Sequence, residues 1–139
     1  MVPGRRWRWL GLRRYFTIGW SQGIEGRPDA GMILPLGQGI TGRCFRTRRP
    51  LYYNRAQAAQ TTCRLPRRLR LLTADLQAIV AFPIFEPRRG GRESGRVRGV
   101  LTLDSTAPHA GTVLTSEDIQ PLVETGMGVI AAYVGRLCT

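Results

Sequence analysis

The chain has no lysine. That excludes the glycine loops that deliver a lysine to nucleotide phosphates, both the P-loop and the kinase type. Histidine is nearly as scarce. His109 is the single one, it follows Pro108 in a turn-rich stretch, and no residue is spaced to orient it as a base, so it reads as an exposed loop residue. Cys44, Cys63 and Cys138 are odd in number, and their spacing matches neither a metal site nor a disulfide framework. Each reads as a small buried hydrophobe or an incidental surface thiol. Paired carboxylates and triad spacings are absent, which removes the common hydrolytic constellations. No apolar run approaches the roughly 18 residues that cross a bilayer, and the basic, Trp-containing start lacks the apolar core and cleavage site of a signal peptide. The expectation is a cytoplasmic protein with no membrane partner.

What is abundant is arginine. All 21 basic residues are arginine, set against nine acids, for a net charge of +12. The imbalance is local: residues 1–98 hold twenty arginines and five acids, whereas residues 99–139 hold Arg136 against Asp104, Glu117, Asp118 and Glu124. Three readings stay open: a nucleic-acid footprint, a surface for an acidic partner, or solvated decoration that maintains solubility. Nucleic acid is disfavoured, because exposed aromatics interleaved with the arginines are not expected. A hydrophobic content of 42% over 139 residues is enough for one core and too much for disorder, so residues 1–139 are expected to form one domain.

The stretch Leu34 to Gly42, LPLGQGITG, has the spacing G-x-G-x-x-G of dinucleotide-binding folds. Its surroundings do not follow. Pro50 cuts off any helix within two turns, and no acid stands near Gln60, about 20 positions on, to hold a ribose. Gly37, Gly39 and Gly42 are therefore read as a structural turn. Glycine accepts positive φ, which lets the chain reverse after a strand and enter a short helix carrying Cys44 and Phe45.

Around that turn the pattern predicts a mixed fold. Residues 7–12 and 15–20 read as a hairpin turning at Arg13 and Arg14, and 31–36 as a short strand. After Gly42 come two helical turns, then an extended LYYN at 51–54. Residues 65–72 form a helix with Leu65, Leu69 and Leu72 inward and arginines outward. The most apolar stretch, 76–85, reads as a buried central strand with Pro83 near its end, pairing back with 97–105 across a charged turn. Residues 106–114 read as a loop. TSED at 115–118 reads as a helix start of the capping-box kind, with Asp118 as N-cap and Pro121 in the first turn. In the final helix Ile119, Leu122, Val123, Gly126, Ile130, Tyr133, Val134 and Leu137 make an apolar face. Gly128, Ala131, Ala132 and Gly135 make a stripe of small residues, which is expected to meet its own copy in a homodimer.

The order LPLGQGITGRCFRTRRPLYYN, a helical insert, AIVAFPIF, RGVLTLDS and TSEDIQPLVETGMGVIAAYV resembles the GAF domain over residues 34–134. The resemblance implies an α+β fold: a central antiparallel β-sheet flanked by helices, with a long C-terminal helix packed on the sheet. The family's N-terminal helix is expected to be missing, because residues 1–6 cannot make it: either the module is truncated or the basic hairpin has replaced that helix. It further implies a non-catalytic sensory or regulatory module in signal transduction, acting through a dimer or a partner domain. The implied small-molecule pocket, behind the glycine turn, takes in Cys44, Phe45, Tyr53, Cys63, Leu69, Ile79, Ala81, Phe82, Leu101 and Leu103. No cofactor and no particular ligand is implied: Asn54, Arg55 and Ala56 do not reproduce the cyclic-nucleotide signature, and Cys63 is followed by Arg64 instead of the histidine of bilin-binding members. The family also includes reductases of free methionine sulfoxide, which use a thiol pair. Their cysteine positions correspond here to Thr41 and Leu71, with Cys44 and Cys63 nearby, so that reading is the weaker alternative.

Overall fold

A computed structural model describes residues 2–6, 13–17, 34–60, 67–87 and 93–137. The expected polar loop at 21–30, and Trp7, Trp9, Cys63 and Cys138, lie outside the described residues.

Among the described residues, two three-stranded antiparallel sheets form the framework. The first joins β1 (Val2–Arg6), β2 (Arg13–Thr17) and β3 (Leu34–Pro35), with Arg6 opposite Arg13 and Tyr15 opposite Pro35. The hairpin anticipated at 7–12 and 15–20 is thus displaced toward the N-terminus, and Arg13 and Arg14 lie within a strand, not in its turn. Pairing decides this against propensity: β2 is the middle strand, with partners on both sides, and that ladder recruits even the Pro3–Gly4 segment.

The second sheet holds β4 (Leu51–Asn54), β5 (Ala78–Pro87) and β6 (Glu93–Ser105), with β5 central as its apolar sequence predicts. Its edge strand β6 lies against β1, the edge strand of the first sheet. Pro83 is placed where its missing N–H costs little, because β4 pairs with β5 only as far as Leu51 opposite Ala81. Both β5 and β6 run further into the charged 86–96 segment than expected, with register shifts after Ile84 and Phe85.

Helices cover both faces of this sheet. On one side lies α1 (Gly39–Thr47), which begins inside the glycine motif and not after it. A 3-10 segment at Arg55–Gln60 and α2 (Arg67–Leu72) follow β4. On the other side lie α3 (Ala110–Leu114) and the 18-residue α4 (Gln120–Leu137). The loop expected at 106–114 thus ends in a helical turn, entered through His109 in the left-handed region at φ 67°.

The TSED segment does not cap α4. Its hydroxyls bond backward instead, Thr115 Oγ1 donating to the Gly111 carbonyl and Ser116 Oγ to that of Val113, so they close α3. The Gln120 N–H, the first of α4, donates to the Ser116 carbonyl, and Pro121 occupies the first turn as expected.

The orientation of α4 is a larger correction. Its buried residues are Met127, Ala131 and Gly135, while Leu122 (68% exposed), Val129 (67%), Tyr133 (64%), Leu137 (67%) and Ile130 (50%) point to solvent. Gly128, Ala131 and Gly135 of the small-residue stripe face the sheet, Ala132 is exposed, and large apolar side chains are the ones left open. A Cβ on Gly135 would lie 2.8 Å from the Phe85 carbonyl oxygen, so helix and strand approach too closely for any side chain there.

Candidate functional site

The glycine turn combines two kinds of glycine. Gly37 (φ 88°) and Gly39 (φ 64°) occupy the left-handed region and reverse the chain between β3 and α1. Gly42 is different: it is helical, and a Cβ there would sit 2.7 Å from the Gly37 backbone nitrogen. Its role is close approach, with the turn folded onto the helix it opens. Backbone bonds from Gln38 N–H to the Pro35 carbonyl (3.2 Å) and from Gly42 N–H to the Gln38 carbonyl (3.1 Å) fix that fold.

Behind the turn lies an apolar cluster. Ile40, Cys44, Ala81 and Val100 are buried together, with Leu36, Phe45, Leu51, Tyr53 and Ile79 packed around them. Burial pushes the Cys44 thiol up to about 12, so it stays protonated at neutral pH. Thr41, three residues earlier in α1, is also buried, and the Gln38 Oε1 is buried without a partner among the described residues.

The expected pocket residues do not share one face. Antiparallel pairing sends Ala81 and its neighbour-but-one Pro83 to the α1 side with Val100, while Val80 and Phe82 face α4 with their partners Leu103 and Leu101. The Phe82 ring confirms the second side: it lies 3.8 Å from where a Gly128 Cβ would be. Cys44, Phe45, Tyr53, Ile79 and Ala81 are therefore brought together on the α1 side, and Phe82, Leu101 and Leu103 are separated from them by the sheet. Leu103 is 43% exposed. Of the remaining two, Cys63 lies outside the described residues, as does the side chain of Leu69. The separation follows from the strand period of two, which a residue list drawn from neighbouring positions ignores.

The α4 face carries polar features that sequence spacing did not single out. Tyr52 Oη donates to Glu124 Oε1 at 2.8 Å, and Gln120 Nε2 donates to the same oxygen at 3.1 Å, tying β4 to α4. The hydrogen bonds from Gln120 and Tyr52 hold the Glu124 carboxyl below its usual range. Burial, then the bond to Glu124, raises the Tyr52 phenol above its ordinary value. Further along this side, a cleft of about 320 Å³ opens between the end of β4 and α3, lined by Asn54, Ala56, Gln77, Pro108, His109, Gly111 and Thr112. The only sequence signal for it was Asn54 closing an apolar strand.

A glycine turn leading into a helix on one face of an antiparallel sheet, with a long C-terminal helix on the other, accords with the family model that matches residues 7–132, that of the GAF domain. The chain belongs to the GAF domain family. The match begins well before the 34–134 in which the motifs lie, and so includes the first sheet from β2 onward. No curated protein matches the chain. As a GAF domain it is a module of the sensory and regulatory, ligand-binding kind. No described helix is long and apolar enough to cross a membrane. Among the described residues no group of three or more His, Cys, Asp or Glu side chains is placed to hold a metal ion.

Proposed function

We propose that residues 1–139 form one non-catalytic regulatory GAF domain that binds a small molecule and passes its signal through the outward face of α4, in a homodimer. The unpartnered apolar row Leu122, Val129, Ile130, Tyr133 and Leu137 carries this reading. Five large apolar side chains open to water on one helix are the mark of an interaction surface. A twofold contact between two such helices would bury each row against its equal. This replaces the contact expected through Gly128, Ala131, Ala132 and Gly135, of which only Ala132 is exposed while the other three lie against the sheet.

The ligand is proposed to lie on the α1 side, against Phe45, Tyr53 and Ile79. These three are partly exposed, whereas Cys44 and Ala81 beside them are fully buried. The protonated, buried Cys44 thiol speaks against a thiolate-dependent reductase. A second contact, with an acidic protein, is supported by the exposed Arg46, Arg48 and Arg49 around the end of α1 and by Arg67 and Arg70 of α2. Binding through them would weaken steeply with added salt.

Sedimentation equilibrium tests the dimer. The wild-type chain is expected to be dimeric at micromolar concentration, and Ile130→Glu monomeric with an unchanged far-ultraviolet spectrum. A wild-type monomer would sink the proposed output surface. Native mass spectrometry of the purified protein tests the ligand, which is expected as a bound mass beyond that of the chain.

A further inference from the structure

We propose that the cleft between the end of β4 and α3 is a second binding site, on the sheet face opposite α1, for a small uncharged molecule presenting a carbonyl acceptor beside an N–H donor. A carboxamide or a pyrimidine-type lactam has that edge.

The site is built around Asn54. This residue is only 9% exposed, and its Oδ1 accepts the Ala56 N–H at 3.0 Å. That bond assigns the amide: Oδ1 faces the 3-10 segment, and Nδ2 is left to donate elsewhere. Nδ2 has no partner among the described residues, yet it belongs to a side chain lining a cleft of about 320 Å³. Among the described residues Gln38 Oε1 is the one side-chain polar atom that is buried without a partner, so Nδ2 is open to solvent on the cleft side and free to donate to a ligand acceptor in place of water.

The neighbouring residues are arranged to keep that amide in place and to offer the complementary group. Gly111 has no side chain, and a Cβ there would overlap the Asn54 carboxamide. Gly111 is itself held in α3 by bonds from Thr115 to its carbonyl. Gln77 is fixed through its backbone, its N–H donating to the Ser105 carbonyl and its own carbonyl accepting the Arg55 N–H. Its Nε2 donates to the Asp75 carbonyl at 3.4 Å, so Oε1 is the group it has for a ligand donor. His109 and Thr112 add an imidazole and a hydroxyl at the rim, both exposed. Among the described residues the lining contains no acid and no arginine. An amide donor and an amide acceptor lining one cleft suit a neutral ligand with the reverse pattern, and the volume lies at the low end of the roughly 300–1,000 Å³ of small-molecule pockets.

The test is a titration of the ¹⁵N-labelled full chain with uracil and with nicotinamide, using acetate as the anionic control. Saturable shifts are expected at the Asn54 and Gln77 side-chain amides and at the Gly111 and Thr112 backbone, with both amide probes and not with acetate. Asn54→Asp retains an oxygen for the Ala56 N–H and removes the donor, and is expected to weaken binding at least about tenfold, the worth of one buried hydrogen bond. If that variant does not fold, Thr112→Val and His109→Ala replace exposed side chains and are each expected to weaken binding severalfold. Absence of saturable shifts at these positions, a preference for acetate, or unchanged affinity in a folded Asn54→Asp overturns the proposal. Because the α1 side and the α4 row are untouched by these variants, failure here leaves dimerisation and ligand binding behind the glycine turn standing, and the reverse.

Discussion

The two faces of the β4–β5–β6 sheet are packed by opposite means. On the α1 face the helix presents Ile40 and Cys44 into a dry cluster with Ala81 and Val100, and the glycines serve the turn that delivers the helix. On the α4 face the helix presents Met127, Ala131 and Gly135, letting its backbone settle against Phe85, and adds the Tyr52–Glu124–Gln120 bonds at its N-terminal end. One face buries volume, the other proximity. The consequence is that α4 holds its large apolar side chains in reserve on the outside, whereas α1 shows arginines there.

The sharpest break of this comparison comes from the glycines that make each approach possible. Gly42→Ala drives a methyl to within 2.7 Å of the Gly37 backbone, which cannot rotate away, and is expected to lower stability by about 3 kcal/mol or to abolish folding. Gly135→Ala meets the Phe85 carbonyl oxygen at 2.8 Å and is expected to cost about 2 kcal/mol, since α4 can tilt outward where α1 is enclosed. Urea midpoints of the two variants measure the difference; equal losses would mean that the faces are equally rigid.

Cys44→Ser tests the dry face chemically. It replaces a fully buried thiol with a hydroxyl that must find an acceptor in an apolar cluster, for an expected loss of about 2 kcal/mol. The native Cys44 thiol is likewise expected to react with a thiol reagent only at the rate of unfolding, and prompt labelling of it would contradict its burial and raised pKa.

Tyr52→Phe tests the polar tie on the other face and is expected to cost about 1 kcal/mol by the same measurement. The tie also gives that face a pH dependence. Glu124 has a depressed pKa, so its contribution is present above the ordinary carboxylate pKa and is lost as pH falls through the lower folded value. Tyr52 has a raised pKa, so its contribution is complete below the ordinary tyrosine value and fades as pH climbs toward the higher folded one. Stability of the wild type should therefore fall at both extremes, and in Tyr52→Phe the alkaline loss should shrink. The smallest effect is expected where the comparison predicts none: Ile130→Gln on the outer face of α4 should change monomer stability by less than about 0.5 kcal/mol while weakening the dimer. A large loss in the monomer would place Ile130 in a core.

Much of this architecture was legible in the chain. The apolar run at 76–85 and the alternation at 97–105 marked the central hairpin, because a strand buried on both faces has little room for polar groups. Pro50 marked the end of α1, and the motif order named the family that the match over 7–132 establishes. The candidate pocket was less legible. Neighbouring positions such as Ala81 and Phe82 looked equivalent in sequence, and the pleat sends them to opposite sides of the sheet. The cleft at Asn54 was invisible, since it requires β4, the start of β5 and α3 to converge from positions more than 50 residues apart.

By itself, then, the sequence determined the central hairpin of β5 and β6, the extended segment of β4 and the final helix, that a turn stands at Gly37 and Gly39, and that the last helix carries two stripes, one large and one small. Local physics suffices for these: period, propensity and the φ that only glycine readily accepts. Tertiary structure decided which stripe faces inward. Phe82 and Ile84 already fill the space above β5, so only a helix lined with Gly128, Ala131 and Gly135 can come close enough to cover the strand. The large side chains are left outside because the sheet supplied the bulk first.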